Sequence, residues 1–446
     1  MKSKWLTAAA FVTATLAITG PARAAFTIGD DPVLFWNQVL MQNVTGSPVL
    51  TSRSYSMVEV AIYDAVNATT GNSRPSYSSG IAASTGDTRA AAATAARDVL
   101  LNVLPDIPAN ATKRAQIEQS YQDSINLVAA GQARTDGIAT GAAAASAIIA
   151  GRTGDHSAPP AVPVYSPTNP PVDGNWQQTT PGAAGAPVTP WWGSVTPWTI
   201  ETGSQFRPGL PPDIASPEFA SALAQVMLVG SATASPADRT AFQTQSAQYW
   251  ATAGNGLAPW IKAAITGADG RGLSSLEYAA MFSLLTTSVA DATIGVFDAK
   301  YTYDFWRPVT AIHDADPLST WTSLITAPSH PSYISGHSAV GASSAEVLMY
   351  LLGANTQACF EGFTCFDSFE LAAENGANSR LWGGIHYDFD NQAGLTLGHK
   401  VGQYSIQTGL FQAVPEPGTW MLMLLGFALM GWTIRRRSAQ IGPVPV

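Results

Sequence analysis

The sequence predicts an all-α protein, a helical bundle interrupted by one long irregular crossover. Three observations carry that expectation. Apolar residues recur at three- and four-residue spacing along most of the chain, as in helices that bury one stripe. Alternating apolar and polar runs, which would make strands, are scarce. Proline, glycine and tryptophan crowd into 157–212, where a regular helix cannot form.

The first segment reads as an export signal. Lys2 and Lys4 precede the apolar run "WLTAAAFVTATLAITG", and Ala22-Arg23-Ala24 supplies a small-x-small cleavage site, so residues 1–24 are expected to be removed. A helical catalytic region is expected over 25–412. Its first helices fall on "DPVLFWNQVLMQNV", "SRSYSMVEVAIYDAVNA", "DTRAAAATAARDVLLNVL" and "KRAQIEQSYQDSINLVAAG", the last two rich in helix-favouring alanine or polar on one face. The crossover follows. Its many tryptophans predict a packed strap and not a solvated linker. Helices resume at "SPEFASALAQVMLVGS" and "SPADRTAFQTQSAQYWA", each with a Ser-Pro start signal. A long buried helix is expected through "SSLEYAAMFSLLTTSVADATIGVFDAKYTYDFW". Export also permits a disulfide between Cys359 and Cys365, across the turn-capable "FEGFT".

Charged residues make up only 12% of the chain and the net charge is −9, which excludes the basic footprint of a nucleic-acid binder. The chemistry concentrates in three short segments within 300–390. In "KYTYDFWRP", Lys300 and Arg307 are seven apart, close to one face of a helix that Pro308 is expected to stop. Two cations there are costly unless an anion, or acids such as Asp298 and Asp304, lie opposite. In "SHPSYISGHSAVGAS", small residues lead into a helix beginning near His337, and a helix N-terminus with Ser335 and Gly336 is a ready anion site. The sequence around Ser338 lacks the Gly-x-Ser-x-Gly of a hydrolase elbow. In "SRLWGGIHYDFD", the Gly383-Gly384 break lets Arg380 and His386 turn toward one point. No zinc spacing is present. Three cations, a hydroxyl, a glycine N–H and two histidines suit a tetrahedral oxyanion passing through a trigonal-bipyramidal state.

Lys300-x6-Arg307-Pro308, Ser335-Gly336-His337 and Ser379-Arg380-x5-His386 together resemble the signature shared by the vanadium-dependent haloperoxidases and the type 2 phosphatidic acid phosphatases. "SQFRPGLPP", residues 204–212, is similar to a segment of bacterial haloperoxidase-related chains. The resemblance implies two packed bundles. It implies that His386 is the axial vanadium ligand, or the nucleophile of a phosphatase. Lys300, Arg307, Arg380, Ser335 and the Gly336 N–H would hold equatorial oxygens of vanadate or phosphate, and His337 would be the acid–base residue. His330, five before Ser335, stands where the resemblance implies phenylalanine in chloroperoxidases and histidine in algal bromoperoxidases; a helix-entry capping role is the alternative. Ile334 departs from the proline that many members carry, which touches loop rigidity and not the ligands.

The C-terminal 413–446 combines Pro-Glu-Pro, an apolar run over 419–434 and Arg435-Arg436-Arg437. This pattern resembles the PEP-CTERM sorting signal, implying transient membrane anchoring and a sorting protease; a plain membrane anchor is the alternative. The expected location is the periplasm, cell surface or extracellular matrix. Three functions stay open. The first is a haloperoxidase using vanadate, hydrogen peroxide and bromide or iodide. The second is a secreted acid phosphatase with no cofactor, acting on a phosphate ester through a phosphohistidine. The third is a non-catalytic surface or matrix protein, against which the completeness of the three residue sets argues.

Overall fold

The computed structural model describes residues 27, 29–168, 171–179, 186–252 and 256–408. The expected export signal, 1–24, and the expected sorting segment, 413–446 with its apolar run, lie outside the described residues.

Five helices form the first layer: α1 (Pro32–Asn43), α2 (Pro48–Thr69), α3 (Thr88–Val103), α4 (Ala111–Asn126) and α5 (Gln132–Gly151). Their starts are written locally. Asp31 Oδ1 accepts from the Val33 N–H at 2.8 Å, Asp87 Oδ1 accepts from the Ala90 N–H at 2.9 Å, and Pro48 opens α2, where its missing N–H costs nothing. From 152 to 216 the described chain has no α-helix, as the proline content dictates, and Trp176, Trp192 and Trp198 are buried. This strap is fixed by hydrogen bonds. The Asp291 carboxylate accepts the N–H groups of Trp198, Thr199 and Ile200, and Arg207 of the "QFRP" segment binds Asp298 through two bonds of 2.6 and 2.8 Å.

The second layer comprises α6 (Pro217–Val229), α7 (Ala241–Ala251), α8 (Ala258–Ala268), α10 (Pro308–Ala315), α11 (Gly336–Leu352), α12 (Phe369–Trp382) and α13 (Asp388–Gln407). The central α9 (Ser275–Tyr303) belongs to both layers. Its N-terminal half lies against α2, where Ser283 Oγ donates to the Glu59 carbonyl at 2.8 Å; its C-terminal half lies against α11 and α13. Its residues are buried without a break from Ala279 to Phe297, so it is covered on every face. Among the described helices α9 alone is long and apolar enough to cross a membrane, and that stretch is wholly buried in protein. The fold is therefore all-α, two helical bundles sharing one helix. The only described sheet is a two-stranded antiparallel hairpin, β1 (Ala358–Cys359) and β2 (Cys365–Phe366), closed by a Cys359–Cys365 disulfide.

Two local expectations are corrected. The long helix does not run to Trp306, and Pro308 does not stop it. Asp304 adopts a left-handed conformation (φ 50°), its N–H closing on the Lys300 carbonyl, so α9 ends at Tyr303. Pro308 instead opens α10 at its first position, with Arg307 as N-cap. Lys300 and Arg307 thus do not share a helix face. Nor does Ser235-Pro236 start α7. Arg239 turns inward to donate to the Val229 and Ser231 carbonyls, and the helix begins after a Thr240–Gln243 capping box.

Candidate active site

The three sequence segments meet where the C-terminal end of α9, the N-terminal end of α11 and the α12–α13 turn converge. Gly394 on α13 makes this convergence tight: a Cβ there would lie 2.4 Å from the Ser335 carbonyl oxygen. Around this point lies a cavity of about 270 Å³, lined by Lys300, His330, Gly336, His337, Arg380 and His386 at one end. Arg307 and Ser335 are buried directly behind it.

His386 has a defined tautomer. Its Nδ1 is 2.8 Å from Asp390 Oδ2 and its Nε2 is 3.1 Å from Arg307 Nη1. A guanidinium only donates and a carboxylate accepts, so Nδ1 carries the hydrogen and Nε2 presents its lone pair. Asp390, one helical turn on, also accepts from Ser332 Oγ at 2.5 Å and from the Tyr387 N–H at 3.3 Å. The carboxylate therefore caps the start of α13 and orients the histidine together.

The cations are held by carbonyl groups. Lys300 Nζ donates to the Pro331 and Ser332 carbonyls at 2.7 and 2.8 Å, leaving one of its three N–H groups free. Arg307 is fully engaged, by the His330, Pro331 and Ile385 carbonyls and by nitrogens of His330 and His386. Asp298 and Asp304 partner neither cation: Asp298 takes Arg207, and Asp304 takes Tyr165 and Asn175. Arg380 differs. Its Nε and Nη1 are buried with no hydrogen-bond partner among the described residues.

Ser335 is the N-cap of α11, yet its side chain makes no capping bond. Ser338 Oγ donates to Ser335 Oγ at 2.9 Å, so the Ser335 proton remains available. At Gly336 an added Cβ would meet only Val296 Cγ1, at 3.7 Å, so packing does not demand glycine; the space beside it belongs to the cavity. His337 Nε2 donates to the Trp250 carbonyl at 2.9 Å, which leaves Nδ1 as its unprotonated nitrogen. His330 Nδ1 accepts from Arg307 Nη2 at 2.9 Å, and its ring lies 5.5 Å from that of Phe297.

The electrostatics follow from burial among like charges. Desolvation, then Arg307, holds Lys300 well below the ordinary lysine range. Desolvation, and after it Arg307, also lowers Arg380. His386, His337 and His330 are all held well below the usual histidine range, burial first and neighbouring cations second. Asp390 is raised by burial, with Ser332 and the two nearest cations pulling it back. Three cations against one carboxylate leave two positive charges in excess, with unpaired donors facing them. An oxyanion would supply what this arrangement lacks.

Three contributors are absent from the sequence reading. Asp390 has a visible signal, the His386-x3-Asp390 spacing that places both side chains on adjoining turns. Ser332 reads only as a small residue. Trp250 acts through its backbone carbonyl, and no side-chain pattern announces that.

Residues 280–412 match the family model of the VCPO second helical-bundle domain, and residues 413–437 match that of the PEP-CTERM protein-sorting motif. No curated protein matches the chain. Among solved structures it is similar to the first bacterial vanadium-dependent iodoperoxidase, with a TM-score of 0.72 and 24% identity, over 84% of this chain and 94% of that one. It is also similar to the apo form of a bacterial vanadium-dependent chloroperoxidase (TM-score 0.67, 16% identity, 83% and 96% covered). The holo form of such a chloroperoxidase gives 0.61 and 15%, with 83% and 94% covered. At these identities the likeness is one of fold. The chain carries the vanadium haloperoxidase helical-bundle fold, with the second bundle's own sequence pattern over 280–412 and a sorting motif behind it.

Proposed function

We propose that the chain is an exported vanadate-dependent haloperoxidase that oxidises bromide or iodide with hydrogen peroxide. The observation that carries this reading is the pair of unpaired buried donors on Arg380, beside a His386 whose tautomer is fixed by Asp390 so that Nε2 presents its lone pair. The residues fit vanadate: Lys300, Arg380, Ser335 Oγ and the Gly336 N–H would hold its oxygens and His386 its metal, and Arg307 would join them with the Nη1 hydrogen that His386 Nε2 now accepts. When bound, vanadate supplies Lewis-acid activation of hydrogen peroxide toward halide, with no redox change at the metal. The chain's own residues do the rest. Asp390 and Ser332 keep the His386 proton on Nδ1. His337, neutral because burial and Arg380 lower its proton affinity, takes a proton from peroxide at Nδ1 and returns it to the departing oxygen. Likeness to an iodoperoxidase and the presence of His330 support the heavier halides.

A secreted phosphatase is the second reading, favoured by one observation: the His386–Asp390 pair would serve equally to orient a nucleophile attacking phosphorus. We assign residues 1–24 to an export signal, 25–412 to the catalytic region and 413–446 to the sorting signal. The last implies a sorting protease and transient anchoring through 419–434 at the cell surface, in the periplasm or in the matrix.

The test is bromide oxidation by the purified chain with hydrogen peroxide, before and after orthovanadate, beside phosphate-ester hydrolysis. Vanadate-dependent bromination that vanishes in His386→Ala is the expected result. Ester hydrolysis inhibited by vanadate, without bromination, would replace this reading with the phosphatase. Absence of both would leave a non-catalytic surface protein.

A further inference from the structure

The cavity is larger than its anion-holding end. Along α9 its wall is formed by Val289, Thr293, Val296, Phe297 and Lys300, positions i, i+4, i+7, i+8 and i+11 of one helix face. At 1.5 Å per residue that stripe runs about 16 Å, and only its last turn belongs to the oxyanion residues. The remainder is closed by Trp250, Trp260, Leu257 and Val340, and by the start of α2 at Pro48 and Val49. Trp250 and Trp260 lie ring to ring at 5.9 Å, with Phe360 behind both at 5.0 and 5.1 Å, so this wall is rigid. Trp260 is buried.

We propose that this apolar part is an acceptor subsite, which holds a small electron-rich aromatic molecule of one or two rings while the molecule takes up the halogen. The inference rests on the haloperoxidase reading above. Peroxide and halide need neither the length nor the aromatic wall of this chamber. Its size indicates the class of occupant: an apolar cavity of about 150 Å³ binds benzene, and this chamber, about 270 Å³ with its anion-holding end included, leaves room beside a bound oxyanion for a compact ring system. The reaction balances without a further oxidant. Hydrogen peroxide, halide, a proton and the aromatic C–H compound give the halogenated aromatic and two waters. The O–O bond breaks, peroxide is reduced, halide is oxidised by two electrons, and the ring exchanges its C–H proton for the C–halogen bond.

The test uses 1-naphthol, the full chain and two readouts. Calorimetric titration of the vanadate-free protein should show saturable naphthol binding, weakened by about tenfold or more in Val289→Trp, which fills the chamber away from the oxyanion residues. Val340→Phe is a milder filling variant should the first fail to fold. In the second readout, the vanadate-loaded chain brominates naphthol with taurine in excess as a scavenger of released hypobromous acid. The wild type should give bromonaphthol despite taurine, with an isomer ratio unlike that of reagent hypobromite. The filled variants should oxidise bromide as fast as the wild type while their product becomes sensitive to taurine. Absence of saturable binding, or a wild-type isomer ratio equal to the reagent's with complete interception by taurine, would overturn the subsite. Binding without any bromide oxidation would overturn the halogen transfer together with the haloperoxidase reading. Bromide oxidation without naphthol binding would overturn the subsite alone.

Discussion

Replacing Arg380 with methionine isolates the group on which the oxyanion reading depends most. The guanidinium has two buried donors without partners, and its charge adds to that of Lys300 and Arg307. A hydrogen bond to a charged group contributes about 1.5–3 kcal/mol, so two such bonds would contribute about 3–6 kcal/mol to holding vanadate or phosphate. At about 1.4 kcal/mol per tenfold, Arg380→Met should weaken orthovanadate by roughly 10²–10⁴-fold. Thermal unfolding reads this without any turnover. At a vanadate concentration 100 times the wild-type Kd, binding stabilises the native state by about 2.7 kcal/mol. For roughly 380 folded residues at about 2.1 cal/mol/K each, that raises Tm by about 3 °C. In Arg380→Met the same concentration sits at or below Kd, and the rise should be under about 1 °C. Without vanadate the variant should melt no lower than the wild type, because an uncompensated buried charge has been removed. A wild type that ignores vanadate, or a variant that keeps the full rise, would refute the reasoning. A variant that melts several degrees lower without ligand would show that Arg380 is structural.

Asp390→Asn leaves His386 in place but allows the wrong tautomer; vanadate-dependent bromide oxidation should fall by about 10–100-fold, and an unchanged rate would remove Asp390 from the site. His399 offers a pH-dependent effect. It bridges Glu370 of α12 at 3.3 Å and Glu346 of α11 at 3.0 Å, with Gln403 on the same Glu346 oxygen, and the Glu370 contact first of all raises its proton affinity. A raised histidine contributes stability fully below about pH 6.5, and that contribution is lost as pH climbs through the higher folded value. Denaturation midpoints should therefore fall across that window in the wild type and stay flatter in His399→Gln. Opening the Cys359–Cys365 loop, with Cys359→Ser and Cys365→Ser together, should cost about 2 kcal/mol in urea unfolding by the loop-entropy estimate for so short a ring. It should also slow turnover by loosening Phe360 behind Trp250, whose carbonyl holds His337.

The residues that meet at the candidate site were nameable from sequence because the chemistry expected of them restricts residue type. Only lysine and arginine supply fixed cations, and a helix start with Ser-Gly supplies donors whose positions the backbone fixes. What escaped was carried by backbone or by competing local signals. Trp250 contributes a carbonyl oxygen, which every residue has. Asp390 in the first turn of a helix looks like any dipole-compensating acid. Pro308 is ambiguous, since proline both ends helices and begins them. The turn at Asp304, a non-glycine residue at positive φ, decided which role it took. Ser235-Pro236 lost to Thr240–Gln243 because a buried Arg239 needed carbonyl partners outside the helix.

The two bundles divide the chemistry unequally. Every residue proposed to hold the oxyanion, from Lys300 to His386, falls within 280–412, the span that matches the second-bundle family model. Much of the far wall of the chamber does not. Pro48, Val49, Trp250, Leu257 and Trp260 lie outside that span and meet it through α9, through Phe360, which packs on both tryptophans, and through the Trp250 bonds to His337 and Asn375. Substitutions at those positions can reshape the chamber while leaving the cations, Ser335 and His386 in place. Trp250 is the exception. Its indole N–H donates to Asn375 at 2.8 Å, one and a half turns before Arg380, and its carbonyl fixes the tautomer of His337. A change of backbone at Trp250 would therefore reach proton transfer and the α12 cation together, whereas a change at Leu257 would alter only what fits beside them.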